Sequence, residues 1–379
     1  MADKKSRQIL RRAKQNNKNG VIVATGCYAE VNREEVEQIE DIDLVIGNAE
    51  KNNIVEIVES FIKQNRKNEE ILHIADEKEF SDFGMVTYSD KTRAVIKVQD
   101  GCNNFCSYCI IPYARGRIRS RKVDSVIEEI KEAVKNGVKE VVITGIHIAS
   151  YGKDFKEDIR LIDLLEEINK IEGLNRIRLG SLEPKLITQE FVDRIKKIEK
   201  ICDHFHLSLQ SGCDETLKRM NRKYTCKEFE EGVNLLRNAF PEVALTTDII
   251  VGFPGETEEE FEETYKFLKR INFCKMHVFP YSPREGTVAT KMKNQIEQKI
   301  KEERSHRLIT LSNKNEQKFL ENYVEKEVEV LFEGKEGEYY KGHTSNYMVV
   351  KVKGEDLKNE IKKVKIDDIK DGELKGRFQ

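Results

Sequence analysis

Apolar residues change their spacing twice along the 379-residue chain, and the changes divide it into regions. From residue 1 to about 65, helical periodicity alternates with short β-like runs. "SRQILRRAKQ" reads as a helix, "GVIVATGCY" as a strand, "REEVEQI" as a helix, "DLVIG" as a strand and "NIVEIVESFIKQ" as a helix. Two strands are fewer than a self-standing parallel sheet needs, so 1–65 is expected to be a partial α/β unit. The polar stretch 66–92 reads as a connector. From residue 93 a strand–helix rhythm sets in, with strands "RAVIKVQ", "EVVITG", "RIRLGS", "HFHLSL", "ALTTDIIVGF" and "KMHVFPY". The helical stretches between them include "TEEEFEETYKFLKRI", which opens with a capping box, Thr257 and Glu260. Six βα units predict parallel strands with helices outside. Eight are needed for a full barrel, so an incomplete (βα)6 barrel is expected, with its core spanning 93–320. After a charged helix over about 296–323 the period shortens to that of strands: "EVEVLFEG", "EYYKGHTSN", "YMVVKVKG" and "IKKVKIDDIKDGELKGRF". With Gly and Asn turns between them, 321–379 is expected to form a small antiparallel β-barrel.

Composition adds little to that α/β picture. The 66 cations against 68 acids give no global attraction to nucleic acid, so such a role must rest on local patches. There is no membrane-length apolar run, and "MADKKSRQIL" lacks the apolar core of a signal peptide. A cytoplasmic protein without membrane partners is expected. Eight cysteines, unevenly placed, are too few for a disulfide scaffold, so those that cluster point to metal.

Three do cluster. Cys102, Cys106 and Cys109 stand in a C-x3-C-x2-C spacing just after the first barrel strand. In a βα barrel that is the C-terminal face, where active sites are built. Zinc in a structural site wants a fourth closely spaced ligand, and none is present. A cubane 4Fe-4S cluster on three thiolates leaves one iron open to an external ligand. The open cluster fits the context best, with zinc and three purely structural cysteines as the alternatives.

C-x3-C-x-aromatic-C at the end of the first strand of a six-unit barrel, with Tyr108 in the aromatic slot, resembles the radical S-adenosylmethionine enzymes. The resemblance implies that the open iron is chelated by S-adenosylmethionine and that electron transfer releases a 5′-deoxyadenosyl radical able to abstract an unactivated hydrogen. Longer stretches, "GCNNFCSYCIIPYARGRIRSR", "TGIHIASYGKD", "RIRLGSLEP", "HFHLSLQSGCDETLKRMNRKYT", "DIIVGFPGETEEEFEET" and "KMHVFPYSPREGT", resemble the methylthiotransferases over essentially the whole chain. The wording is closest to the tRNA branch acting on N6-threonylcarbamoyladenosine. That branch replaces the C2 hydrogen of the adenine beside the anticodon, at position 37, with a methylthio group. The resemblance implies tRNA (its anticodon stem-loop) as partner, a flavodoxin- or ferredoxin-type reductant, and a TRAM-like RNA-binding domain over 321–379. It also implies a second 4Fe-4S cluster held by three N-terminal cysteines. Only one of these is present, Cys27 in "TGCYAEV", so 1–65 is expected to be the remnant of an N-terminally truncated domain without that cluster. The rival readings are the sister branch that methylthiolates an aspartate of a ribosomal protein, and a catalytically silent, cluster-containing RNA-binding remnant.

Around the cluster, polar residues at strand ends are candidates for the cofactor: Ser181 and Glu183 at the third strand, Gln210 at the fourth and Asp248 in the fifth, with Tyr108. "TGIHI" stands where many radical enzymes carry a Gly-Gly-Glu motif, which leaves recognition of the methionyl amine unassigned. Arg115, Arg117, Arg119, Arg121 and Lys122 follow the cysteines as alternating cations and are candidates for RNA phosphates. Lys4, Lys5, Arg7, Arg11, Arg12 and Lys14 form a second basic run. Tyr339, Tyr340 and Tyr347 suit either base stacking or the core of the small barrel. Cys202, Cys213, Cys226 and Cys274 are isolated and read as bystanders.

Overall fold

The computed structural model describes residues 2–64, 74–82 and 92–378. Most of the expected connector, 66–92, lies outside the described residues. In the N-terminal region β1 (Val23–Thr25) and β2 (Leu44–Ile46) pair in parallel as a two-stranded sheet. The "GVIVATGCY" strand is shorter than expected, because Gly26 (φ 103°) turns the chain and a helix begins at Cys27. Helix Ala2–Asn16 covers this sheet, with Arg7 donating to Glu35 and to Tyr28 Oη and with Lys14 donating to Asp43. The basic run is therefore partly consumed inside its own unit, while Arg11 and Arg12 stay exposed.

The central region contains six parallel strands: β3 (Arg93–Asp100), β5 (Glu140–Gly145), β6 (Arg176–Leu179), β7 (His204–His206), β8 (Ala244–Val251) and β9 (Lys275–Pro280). A two-residue strand, β4 (Arg119–Ser120), straps antiparallel onto the end of β3. The order is β4-β3-β5-β6 in one sheet and β7-β8-β9 in the other, joined by the bridges Ile177–Ile201 and Leu182–Leu207. This is the incomplete barrel, left open between β3 and β9. Alternation along β3 sends Ala94, Ile96 and Val98 outward beneath the helices, where none is exposed. The same alternation turns Val95 inward, yet it is 60% exposed because the lumen is open. Helix Glu258–Ile271 opens with the capping box expected from its sequence, Thr257 and Glu260.

Strands β10 (Glu327–Glu336), β11 (Tyr339–His343), β12 (Val349–Lys353), β13 (Ile361–Lys370) and β14 (Glu373–Arg377) close into a barrel in the order β10-β11-β12-β14-β13. Two expectations are corrected here. "IKKVKIDDIKDGELKGRF" is a hairpin rather than one strand, turned at Asp371 and Gly372, both with positive φ. The barrel is also not wholly antiparallel, since β12 and β14 pair in parallel. Tyr340 belongs to its core.

This small barrel docks on the floor of the large one, at the N-terminal ends of its strands. Arg176 Nη1 donates to His343 O (2.9 Å) and Arg178 Nη1 to Ser345 O (2.8 Å), while Arg93 pairs with Glu333. Tyr347 (φ 70°) lies between the rings of His343 (4.7 Å) and His204 (5.1 Å), with the Arg178 guanidinium 4.6 Å from its centroid. Beneath these contacts Glu140, fully buried, accepts from Arg178 Nε (2.7 Å) and lies 3.7 Å from Arg93.

Candidate active site

The cysteine loop leaves β3 at Gly101. Its φ is 71°, and a Cβ there would stand 1.7 Å from Arg117 O. Only glycine fits where the loop crosses its own return strand. Gly101→Ala is therefore expected to cost at least about 2 kcal/mol and to lower iron retention after reconstitution. Chemical denaturation read beside iron content checks this, and a variant of unchanged midpoint contradicts it.

Past Gly101 the loop is held from several sides. Cys102 N donates to Gly116 O (3.1 Å) and Cys109 N to Cys106 O (2.9 Å). Phe105, in the left-handed region at φ 48°, packs edge-on against Tyr113 with Arg117 over its face. The segment 219–224, far away in sequence, supports the loop from beneath. Ser107 N and Oγ donate to Met220 O (3.0 Å) and Arg219 O (2.7 Å), and Asn221 Nδ2 donates to Phe105 O (2.9 Å).

All three thiols are half-buried. Burial, followed by the neighbouring cysteines, raises Cys109 to about 11; burial likewise raises Cys102, with Cys106 adding to it. Thiols that disfavour one another's ionisation need cationic compensation to act together as thiolates. Arg222 provides it: Nη1 donates to Cys106 Sγ (3.3 Å), Nε to Tyr224 Oη (2.9 Å) and Nη2 to Ser208 O (3.1 Å). Although burial opposes its charge, Tyr224, Tyr108 and Cys106 more than offset that and raise its pKa.

Among the described residues, the metal-ligating trio whose ligand atoms all lie within 4.8 Å is His206, Asp248 and His277, and the three cysteines form no such trio. A single tetrahedral zinc with bonds of about 2.3 Å would draw sulfurs to about 3.8 Å from one another. Three half-buried thiols on one loop, with the Arg222 guanidinium at Cys106, fit a 4Fe-4S cubane that keeps one iron open.

Beside the cysteines the strand ends meet in a polar knot. Gln99, fully buried, donates to the carbonyls of Asp100 (2.6 Å) and Gly101 (2.7 Å) and accepts from His147 N (2.7 Å). His147, from "TGIHI", lies 2.7 Å from Glu183 Oε2 through Nε2 and is held at Nδ1 by Ser150. Asn104, within the cysteine loop, donates to Glu183 Oε1 (3.3 Å). Burial alone would raise the Glu183 carboxyl, but the hydrogen bond and charge of His147, then Arg222, then Asn104, hold it at about 2. Because that folded-state pKa lies below the unfolded value, ionised Glu183 contributes stability above about pH 4.5, and the contribution is lost as pH falls toward 2. The stability difference between wild type and Glu183→Gln is thus expected to shrink across that window. A difference that stays constant with pH contradicts the assignment.

The other expected residues separate. Tyr108 packs into an apolar cluster with Met220, Phe253, Tyr281 and Ala289. Gln210 sits at φ 72°, its backbone bridging to Asp248 O and Ile250 N. Ser181 faces a cavity in the lumen that His206 and His277 also line, and Asp248 joins those two histidines. Cys27 opens the helix Cys27–Val31 and lies near Lys51, itself beside Arg115, so it faces the side of the cysteine loop. That unit is tied to the loop by Asn48 Nδ2, which donates to Ala114 O (2.6 Å).

The row of cations is corrected. Arg119 is 2% exposed and lies 3.7 Å from Asp100, and Arg121 is buried against Glu129 and Asp82. The two lie in the same phase of the segment at β4 and turn in to these acids, whereas Arg115 ends a short helix and Arg117 precedes the strand. Arg117 and Lys122 remain exposed, and Arg115 is half-exposed. His147, Asn104, Asn221 and Arg222 were not singled out from sequence. All lie within stretches that carried the family likeness, but nothing in their local pattern indicates that they converge.

Among the described residues, no helix is long and apolar enough to cross a membrane. The sequence model of the radical SAM superfamily matches residues 96–268. The threonylcarbamoyladenosine tRNA methylthiotransferase MtaB of Bacillus subtilis (strain 168) is 42% identical over 371 residues, covering 96% of this chain and 82% of the relative. The tRNA-2-methylthio-N(6)-dimethylallyladenosine synthase of Alkaliphilus oremlandii (strain OhILAs) is 39% identical over 329 residues, 86% of this chain and 69% of that one. Among solved structures, the radical S-adenosylmethionine methyltransferase TsrM from Kitasatospora setae, with tryptophan and a SAM analogue bound, superposes with a TM-score of 0.56. That match has 17% identity and covers 73% of this chain and 58% of that one, a likeness of fold alone.

Proposed function

From the premise that this chain belongs to the radical S-adenosylmethionine methylthiotransferases, we propose that it inserts a methylthio group at C2 of N6-threonylcarbamoyladenosine at position 37 of tRNA. The observation that carries the substrate is the 42% identity, across 96% of the chain, to a tRNA methylthiotransferase of that specificity. Cys102, Cys106 and Cys109 would hold the 4Fe-4S cluster that binds S-adenosylmethionine. When bound, the cluster and S-adenosylmethionine supply hydrogen abstraction and the transferred methyl group.

The chain's own residues do the rest. Arg222 offsets the negative charge gathered at Cys106. Glu183, kept ionised by His147, offers a carboxylate at the barrel mouth for the ribose or amine of S-adenosylmethionine, with Tyr108, Ser181, Gln210 and Asp248 as the further candidates from neighbouring strands. Exposed Arg117 and Lys122, with Arg115, flank the cysteine loop and suit the phosphates of an anticodon stem-loop. A flavodoxin- or ferredoxin-type reductant supplies the electron, and the location is cytoplasmic.

The test is anaerobic reconstitution with iron and sulfide, followed by incubation with S-adenosylmethionine, dithionite, sulfide and tRNA carrying N6-threonylcarbamoyladenosine. Nucleoside mass spectrometry should show a gain of CH2S on that nucleoside. A gain on N6-dimethylallyladenosine alone, or on a ribosomal-protein aspartate, overturns the reading.

A further inference from the structure

Four of the chain's seven histidines, His204, His206, His277 and His343, line one cavity of about 400 Å³ at the lower end of the barrel lumen, where Phe319 and, from the small barrel, Tyr347 and Met348 also line it. That volume falls in the range of small-ligand pockets. Three of the four stand on β7 and β9, the strands that flank β8: His206 pairs with Thr246 across β7–β8, and Asp248 with His277 across β8–β9. His206 closes β7, while Asp248 and His277 each lie three residues before the ends of β8 and β9, on the order of 10 Å beneath those ends.

Hydrogen bonds run along this wall. A carboxylate only accepts, so His206 Nε2 donates to Asp248 Oδ2 (3.1 Å). His206 Nδ1 lies 2.9 Å from the Thr246 hydroxyl oxygen, which lies 3.2 Å from His204 Nε2. Burial, then the cation of Arg178, lowers His204 to about 3, so the ring stays neutral. Its Nδ1 is buried without a hydrogen-bond partner among the described residues. His206 has both nitrogens engaged and does not need a metal ion to satisfy it. His277, by contrast, is exposed to the lumen.

We propose that this cavity receives the N6-threonylcarbamoyl group of the adenosine, His277 donating to its carboxylate and His204 Nδ1 pairing with its hydroxyl, which can donate or accept. The inference rests on the tRNA reading above and deepens it. The relatives act on two kinds of adenosine, one bearing a carboxylate and hydroxyl on N6 and one bearing a hydrocarbon. A hydrocarbon placed here would leave His204 Nδ1 unpaired, whereas the threonyl hydroxyl pairs it. The wall therefore selects between the two.

The test uses the reconstituted protein and anticodon stem-loops carrying N6-threonylcarbamoyladenosine, N6-dimethylallyladenosine or plain adenosine, with dissociation constants measured by fluorescence anisotropy. Wild type should prefer the threonylcarbamoyl form. His277→Leu should weaken that form roughly 10- to 100-fold, the loss of a hydrogen bond to a charged group, and leave plain adenosine within about twofold. His277→Gln, which restores a donor, should recover part of the loss. Equal weakening of all three RNAs, or an unchanged preference, overturns the proposal. So does one equivalent of a non-cluster metal that wild type holds and His277→Leu loses, which would make the wall a metal site. If wild type neither prefers nor methylthiolates the threonylcarbamoyl stem-loop, the tRNA reading itself fails. If it methylthiolates that RNA while His277→Leu keeps the preference, only the assignment of the cavity fails.

Discussion

Cys106→Ala is expected to lower the iron of the reconstituted chain from about four per molecule to near zero and to abolish cleavage of S-adenosylmethionine. Two sulfurs remaining on the loop cannot hold three corners of a cubane. The loss also strips Arg222 of its sulfur partner and leaves a buried guanidinium facing Tyr224 and Ser208 alone. Iron analysis, visible absorbance and chromatographic detection of 5′-deoxyadenosine read the outcome. Cys27→Ala is the contrasting variant: Cys27 belongs to another unit, so the iron held by the three-cysteine loop should remain. A Cys106→Ala protein that still forms 5′-deoxyadenosine would remove the central assignment.

The largest effect on stability is expected at the barrel floor. Glu140 is fully buried and serves Arg178 and Arg93, the two cations that also reach the small barrel through Ser345 and Glu333. Glu140→Ala leaves Arg178 buried without its carboxylate, a loss of about 3–5 kcal/mol. Because both cations also contact the small barrel, its docking should loosen at the same time. Denaturant midpoints should fall and proteolysis near residue 320 should speed up. Glu140→Met with Arg178→Met, which removes both charges, should recover much of the stability. If the single variant is as stable as wild type, the ion pair does not hold the floor together.

Legibility differed by the range over which the information acts. The βα rhythm could be read because strand and helix periods are local, and "EVVITG" emerged with the bounds of β5. "HFHLSL" emerged shorter, since after His206 the backbone bends toward Gln210 at φ 72°. The parallel pairing of β12 with β14 could not be read, because neither strand's pattern names its partner. The same limit applied to the cations after the cysteines. Alternation was visible, but which phase faces inward is fixed by Asp100, Glu129 and Asp82, residues brought up by other segments.

By itself the sequence determined the kind of protein: a three-cysteine loop one ligand short, placed after the first strand of a six-unit barrel, with a small β-domain following. Those features depend on spacing along the chain, and spacing survives without coordinates. Only the tertiary structure decided what the loop rests on and what lies below it. Arg222 reaches Cys106 across 116 positions, and His147 meets Glu183 across 36. The histidine wall forms because strands β7, β8 and β9 lie side by side with inward registers aligned. Side chains this far apart in sequence are brought together by strand order and shear, and no local pattern records either.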